Sequence, residues 1–181
     1  MKKTIYVQKL VVAALMLALG LVLPSITMNI PTVGKMLCPM HIPVLLCGFL
    51  CGGPYGLLVG FLTPLLRSVL FGMPAMVPTA VCMAFELATY GMVSGMLSSR
   101  SRKDMKSLYI VLVVAMLAGR AVWGVVSAVV YALMGAGFTW KLFFMGAFVN
   151  AIPGILIQLI LIPTLINRLY AAGMVKASYR D

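Results

Sequence analysis

Negative charge is almost missing from this chain: of 181 residues only three are Asp or Glu, against 14 Lys or Arg. Histidine occurs once, and charged residues of every kind make up 9% of the sequence, where an ordinary soluble domain carries roughly 25%. With 63% hydrophobic residues, a soluble fold of this length has too little interior to hide its apolar surface. The chain therefore reads as an integral membrane protein. Several chemical devices are lacking as well. There is no Gly-x-x-x-x-Gly-Lys-Ser/Thr loop, so the chain does not use ATP through that device. With one histidine and neither Gly-x-Ser-x-Gly nor His-Glu-x-x-His, no intramembrane protease or metalloenzyme constellation can be assembled. The four cysteines (Cys38, Cys47, Cys51, Cys82) show no zinc spacing with histidine partners, and Cys47 and Cys51 share one apolar helix face as small hydrophobes. No catalytic residue, metal or cofactor is assigned.

The formal charge of +11 does not point to nucleic acid. Basic residues that bind phosphate backbones cluster on a solvated face, whereas here they lie between and beyond the apolar runs. That is a membrane-topology pattern. The opening Met-Lys-Lys and its apolar run differ from a signal peptide, because the apolar core is long, no Ala-x-Ala site follows and further spans come after it. Proline, glycine and polar breaks divide residues 1–181 into a single all-α membrane domain of six transmembrane helices, at about 4–23, 40–51, 55–71, 75–97, 108–134 and 140–169. Counting Lys and Arg near the helix ends sets the orientation. With the N-terminus inside, Lys2, Lys3, Lys9, Arg100, Arg102, Lys103, Lys106, Arg168, Lys176 and Arg180 fall on the cytoplasmic side, and only Lys35 and Lys141 on the outer side. Both termini are thus expected to be cytoplasmic.

Arg67 and Arg120 are left over, each inside a membrane span. His41 and Glu86 join them, and ionisable groups at that depth are expensive enough to mark a site. At 1.5 Å rise per residue, Arg67 lies roughly 18 Å from the cytoplasmic start of the third helix and Arg120 about as far along the fifth. Glu86 and Asn150 lie roughly 15 Å below the outer starts of the fourth and sixth helices, and His41 sits near the outer end of the second. These five residues are expected to converge on a cavity opening outward, with Trp123, on the Arg120 face, placed to close over a ligand. Gln158 reads as nearer the cytoplasmic side and is left out. Glu86 pairs with either Arg67 or Arg120, leaving one cation over in a medium that disfavours uncompensated charge. A carboxylate ligand matches a guanidinium through two parallel hydrogen bonds. A small anion is therefore the expected cargo; a cationic one would have only Glu86 as anchor.

Small residues recur at four-residue spacing in Ala14/Ala18, Gly48/Gly52/Gly56/Gly60 and Gly91/Gly95, rows that let helix backbones approach closely in lipid. With the Ala-x-x-x-Ala pair in the first helix, a long first outer connector and a Gly-rich bend between the second and third helices, the chain resembles the substrate-binding S component of an energy-coupling factor (ECF) vitamin transporter. The runs His41-Ile-Pro-Val-Leu-Leu-Cys-Gly-Phe, Pro64-Leu-Leu-Arg67 and Ala84-Phe-Glu-Leu-Ala-Thr-Tyr90-Gly resemble most the pantothenate-type branch. The resemblance implies a multi-pass protein of the bacterial cell membrane that captures a vitamin from outside. It also implies docking through Ala14 and Ala18 on a transmembrane T component, with two cytoplasmic ATPase subunits driving import. Pantothenate is the first expected substrate, and a thiamine precursor, niacin, a queuosine precursor or folate are the alternatives within transport. A small membrane enzyme or an assembly factor is the alternative outside it.

Overall fold

The computed structural model describes residues 2–27, 38–101, 104–147 and 149–171. The elements over these residues are helical, without a strand among them. They are α1 Lys2–Thr27, α2 His41–Cys51, α3 Gly53–Phe71, α4 Val81–Arg100, α5 Met105–Leu133, α6 Trp140–Ala147 and α7 Ile152–Ala171. A wide turn, Met76–Ala80, leads into α4, and a tight one, Val149–Ala151, leads into α7. Among the described residues, five stretches are long and apolar enough to cross a membrane: Ile5–Ile26, Gly53–Phe71, Met76–Arg100, Met105–Leu133 and Trp140–Ala171.

Proline and glycine set the breaks. Gly52, at φ 97°, ends α2 by returning its N–H to the Gly48 carbonyl, and Pro54 opens α3 where a missing N–H costs nothing. The fourth helix, expected from residue 75, becomes α-helical only at Val81. Pro78 has no N–H to donate, and Val77 before it is extended at φ −120°, ψ 132°. The sixth predicted helix, 140–169, is two helices. Pro153, at the second position of α7, cannot supply the N–H that an unbroken helix would return to the Val149 carbonyl.

At the centre lies α4, packed against α2, α3 and α5, while α1 covers α2 and α3, and α7 covers α2 and α5. The 11-residue α2 is roughly 16 Å long, too short for a hydrocarbon core of about 30 Å. It is nonetheless almost wholly buried, from His41 and Val44 through Leu45, Cys47, Phe49 and Cys51. Protein replaces lipid around its ends, the condition under which a helix can stop at membrane depth. The closest crossing is α3 on α4, where a Cβ on Gly56 or Gly91 would overlap the other residue's backbone. Outward faces are apolar: Val69 is 69% exposed, Ile110 63% and Ile160 69%. Polar groups inside and aliphatic ones outside suit a molecule dissolved in lipid.

Candidate functional site

Glu86, on α4 and 2% exposed, is the centre of a polar cluster. Its Oε1 accepts from Arg120 Nη1 on α5 at 2.9 Å and from Tyr90 Oη at 3.0 Å. His41 Nε2, at the first residue of α2, lies 3.7 Å from the same oxygen, within ion-pair reach but beyond a hydrogen bond. Helical spacing explains Tyr90: four residues after Glu86, it stands on the same face of α4. Gly119 explains Arg120. A Cβ at Gly119 would run into the Tyr90 ring, so its absence brings α5 close enough for the next residue to reach Glu86. The His41 ring rests against Tyr90 at 5.3 Å between centroids, tilted by 55°. Just ahead of α2, the Cys38 thiol lies within electrostatic reach of Arg120 and Glu86. Burial raises its pKa above the ordinary thiol value, opposed by the Arg120 charge, so the thiol stays protonated at neutral pH.

Beneath the cluster is an apolar layer containing Val44 and Leu45 of α2, Leu87 of α4, Ala115 and Met116 of α5, and Ile162 and Ile166 of α7. On each of these helices a buried polar side chain follows within a turn on one side of the layer. They are His41 before Val44, Glu86 before Leu87, Arg120 after Met116 and Gln158 before Ile162. Three of the helices, α2, α4 and α7, run opposite to α5 in the order of these residues, so the four side chains stand on the same side of these apolar residues, as a polar layer. Both ring nitrogens of His41, Nε of Arg120, and Oε1 and Nε2 of Gln158 are buried without a hydrogen-bond partner among the described residues. Ser127 Oγ, two turns along α5 from Arg120, is in the same condition. Each such group costs about 1–3 kcal/mol when left unpaired, a cost that a polar guest relieves.

The other expected site residues lie elsewhere. Arg67, on α3 and 2% exposed, donates from Nη1 to the Leu21 carbonyl and, at 3.2 Å, to Ser25 Oγ, with its guanidinium 4.9 Å from the Phe71 ring centroid. Pro24 opens the end of α1 by withholding the N–H due to the Gly20 carbonyl, and Arg67 serves the carbonyl next to it. Of the two pairings open in the sequence, Glu86 takes Arg120, and α1 takes Arg67. Asn150 falls in the tight turn before α7 and is exposed rather than joined to the cluster. Trp123, half-buried one turn further along α5 than Arg120, stacks on Phe143 at 6.2 Å and meets Phe138 edge-on at 6.0 Å, holding α6 against α5. Ala14 and Ala18 are exposed on the outer face of α1, among Leu10, Val11, Leu15 and Leu19.

A family model described as the ECF transporter substrate-specific component matches residues 8–166. The chain belongs to this family. No curated protein and no solved structure gives a significant match. As an S component the protein is a multi-pass membrane subunit that binds a transport substrate and is not an enzyme. Membership implies a small-molecule substrate, and a T component and ATPases as partners. The match is to the family as a whole, not to its pantothenate-type branch.

In this S component, Tyr90, Cys38 and Gln158 join the polar cluster or its layer without having been expected there. Tyr90 carried a readable signal in its four-residue spacing from Glu86. Gln158 was displaced by the assumption of an unbroken sixth helix: counted from Trp140 it lies roughly 27 Å down. Counted from Ile152, where α7 begins, it lies only about 9 Å along the helix. The repeating stripe Gly154, Gln158, Ile162, Ile166, all buried, marks it as facing the bundle.

Proposed function

We propose that this S component captures a small carboxylate vitamin, pantothenate first, from the outer side of the membrane in the layer formed by His41, Glu86, Arg120 and Gln158. It then presents its cargo to the T component through the α1 face bearing Ala14 and Ala18. The observation that carries the reading is the buried Glu86–Arg120 pair, ringed by polar atoms that lack partners among the described residues. Arg120 uses Nη1 on Glu86, and its buried Nε belongs to the edge of the guanidinium that receives a carboxylate side-on. Glu86 and Arg120 balance one another, with His41 Nε2 3.7 Å from the same carboxylate. Arg67 does not enter this account, since α1 holds it. Trp123 and its aromatic neighbours stand outward of Arg120, where they roof the site.

The test is calorimetric titration of the purified protein in detergent with pantothenate, beside mass spectrometry of whatever co-purifies. One-to-one binding is expected, lost on Arg120→Ala. Absence of pantothenate binding, with folate, niacin, or a thiamine or queuosine precursor found in the preparation instead, would discard this substrate while leaving family membership untouched.

A further inference from the structure

Some of the buried polar side chains in this bundle satisfy themselves on their own helix. Thr63 donates to the Val59 carbonyl at 2.6 Å, and Ser94 to the Gly91 carbonyl at 3.2 Å. Gln158 does not. It is 1% exposed, and both ends of its carboxamide, one donor and one acceptor, lack partners among the described residues. On α7 it is the one polar member of the buried stripe Gly154, Gln158, Ile162, Ile166, and α7 packs on α2 and α5, which supply His41 and Arg120. Ile162, one turn below, belongs to the apolar cluster that also holds Met116, one turn below Arg120. Counted along the helices, Gln158 lies roughly 20 Å from the last residue of α7, Glu86 roughly 21 Å from the last residue of α4 and Arg120 roughly 22 Å from the first residue of α5.

We propose that Gln158 is a specificity-determining residue of the ligand site, its carboxamide pairing with a neighbouring hydroxyl and carbonyl on the bound molecule. The chemistry follows from the fork of the side chain. Oε1 accepts and Nε2 donates on the same edge, about 2.3 Å apart by covalent geometry. The complementary partner is a group presenting a donor and an acceptor side by side, such as a hydroxyl on the carbon next to a carbonyl. A carboxylate, which only accepts, satisfies one half of the fork and belongs on Arg120. The ligand is thus read at two points: an anionic end by Arg120, and a hydroxyl-acyl end by Gln158. This rests on the polar layer being the ligand site. Pantothenate carries both features, with a hydroxyl adjacent to its amide carbonyl and a carboxylate at the far end.

The experiment compares pantothenate with its analogue lacking only that hydroxyl, using the full-length protein, Gln158→Met and Gln158→Glu, by calorimetry in detergent with thermal unfolding of each apo protein. Wild type is expected to bind the deoxy analogue about 10- to 100-fold more weakly than pantothenate, because the buried fork is left half unpaired. In Gln158→Met the two ligands should differ by less than about threefold, while the apo protein unfolds at the same or a higher temperature, since an unpaired buried amide has been replaced by an apolar side chain of similar length. Gln158→Glu keeps the acceptors and loses the donor, and is expected to bind pantothenate less tightly than wild type; it carries the comparison if the Met variant folds poorly. Undiminished discrimination in both variants would overturn the role of Gln158 and leave the Arg120 reading standing. A fall in apo stability with unchanged discrimination would mark Gln158 as structural and overturn it likewise. Failure of wild type to bind pantothenate at all overturns the substrate reading, and the hydroxyl-acyl assignment falls with it.

Discussion

Glu86 and Arg120 show how one pair both marks and burdens a membrane site. Each is buried, and their 2.9 Å contact substitutes for water that neither can reach. Removing one partner leaves the other charge uncompensated, which costs about 3–5 kcal/mol. Arg120→Ala should therefore lower the unfolding temperature in detergent and abolish ligand binding together. The double variant Glu86→Leu/Arg120→Leu should recover most of the stability and none of the binding, because an apolar replacement of both partners removes the desolvation cost. Recovery of binding in the double variant would move the site elsewhere. Arg67 makes the contrasting case: its charge is spread over a backbone carbonyl, a hydroxyl and an aromatic face, so it ties α3 to α1.

Among the elements, α4 governs the arrangement because three helices need its surface at once. Glycine sets how near they come. At Gly56 and Gly91 the α3 and α4 backbones touch, so Gly91→Ala must push the helices apart, at a cost of about 1–3 kcal/mol from overpacking. Gly137→Ala, with nothing within 4 Å of the added Cβ, serves as the control and should stay within about 0.5 kcal/mol of wild type. Equal unfolding temperatures for the two variants would contradict the close crossing. The shift matters for function too, since α4 carries Glu86 and Tyr90, and both positions depend on where α3 and α5 hold it. The break between α6 and α7 works in the same way. It leaves Asn150 exposed in the turn before α7 and Gln158 buried on the helix that follows.

For the molecule as a whole, the proposed capture and delivery use different faces. The polar layer is enclosed by α2, α4, α5 and α7, whereas Ala14 and Ala18 lie on α1, a peripheral helix whose outer face has no covering among the described residues. Because small residues set how closely a partner helix approaches in lipid, Ala14→Trp or Ala18→Trp should abolish uptake in cells holding the T component and ATPases. Ligand binding by the isolated subunit should be unchanged. A double tryptophan variant that still transports at the wild-type rate would remove α1 as the docking face.

Membrane residence, the all-helical class and the short list of embedded charges followed from the sequence alone. Each rests on local chemistry: hydropathy over about 20 residues, the missing N–H of proline, and the price of an ion in lipid. His41, Glu86 and Arg120 were legible as embedded polar residues for that reason, and the structure brings them together. The partner of Glu86 was not legible, because two arginines stood at similar depth, and only the approach of α5 at Gly119 distinguishes them. Nor was the exposure of Asn150 beside the burial of Gln158, since depth counted along a helix is lost once the helix breaks. Distances along a chain determine which residues reach the same level of a membrane; which of them meet depends on helix rotation and spacing, and those are set by contacts between residues far apart in sequence.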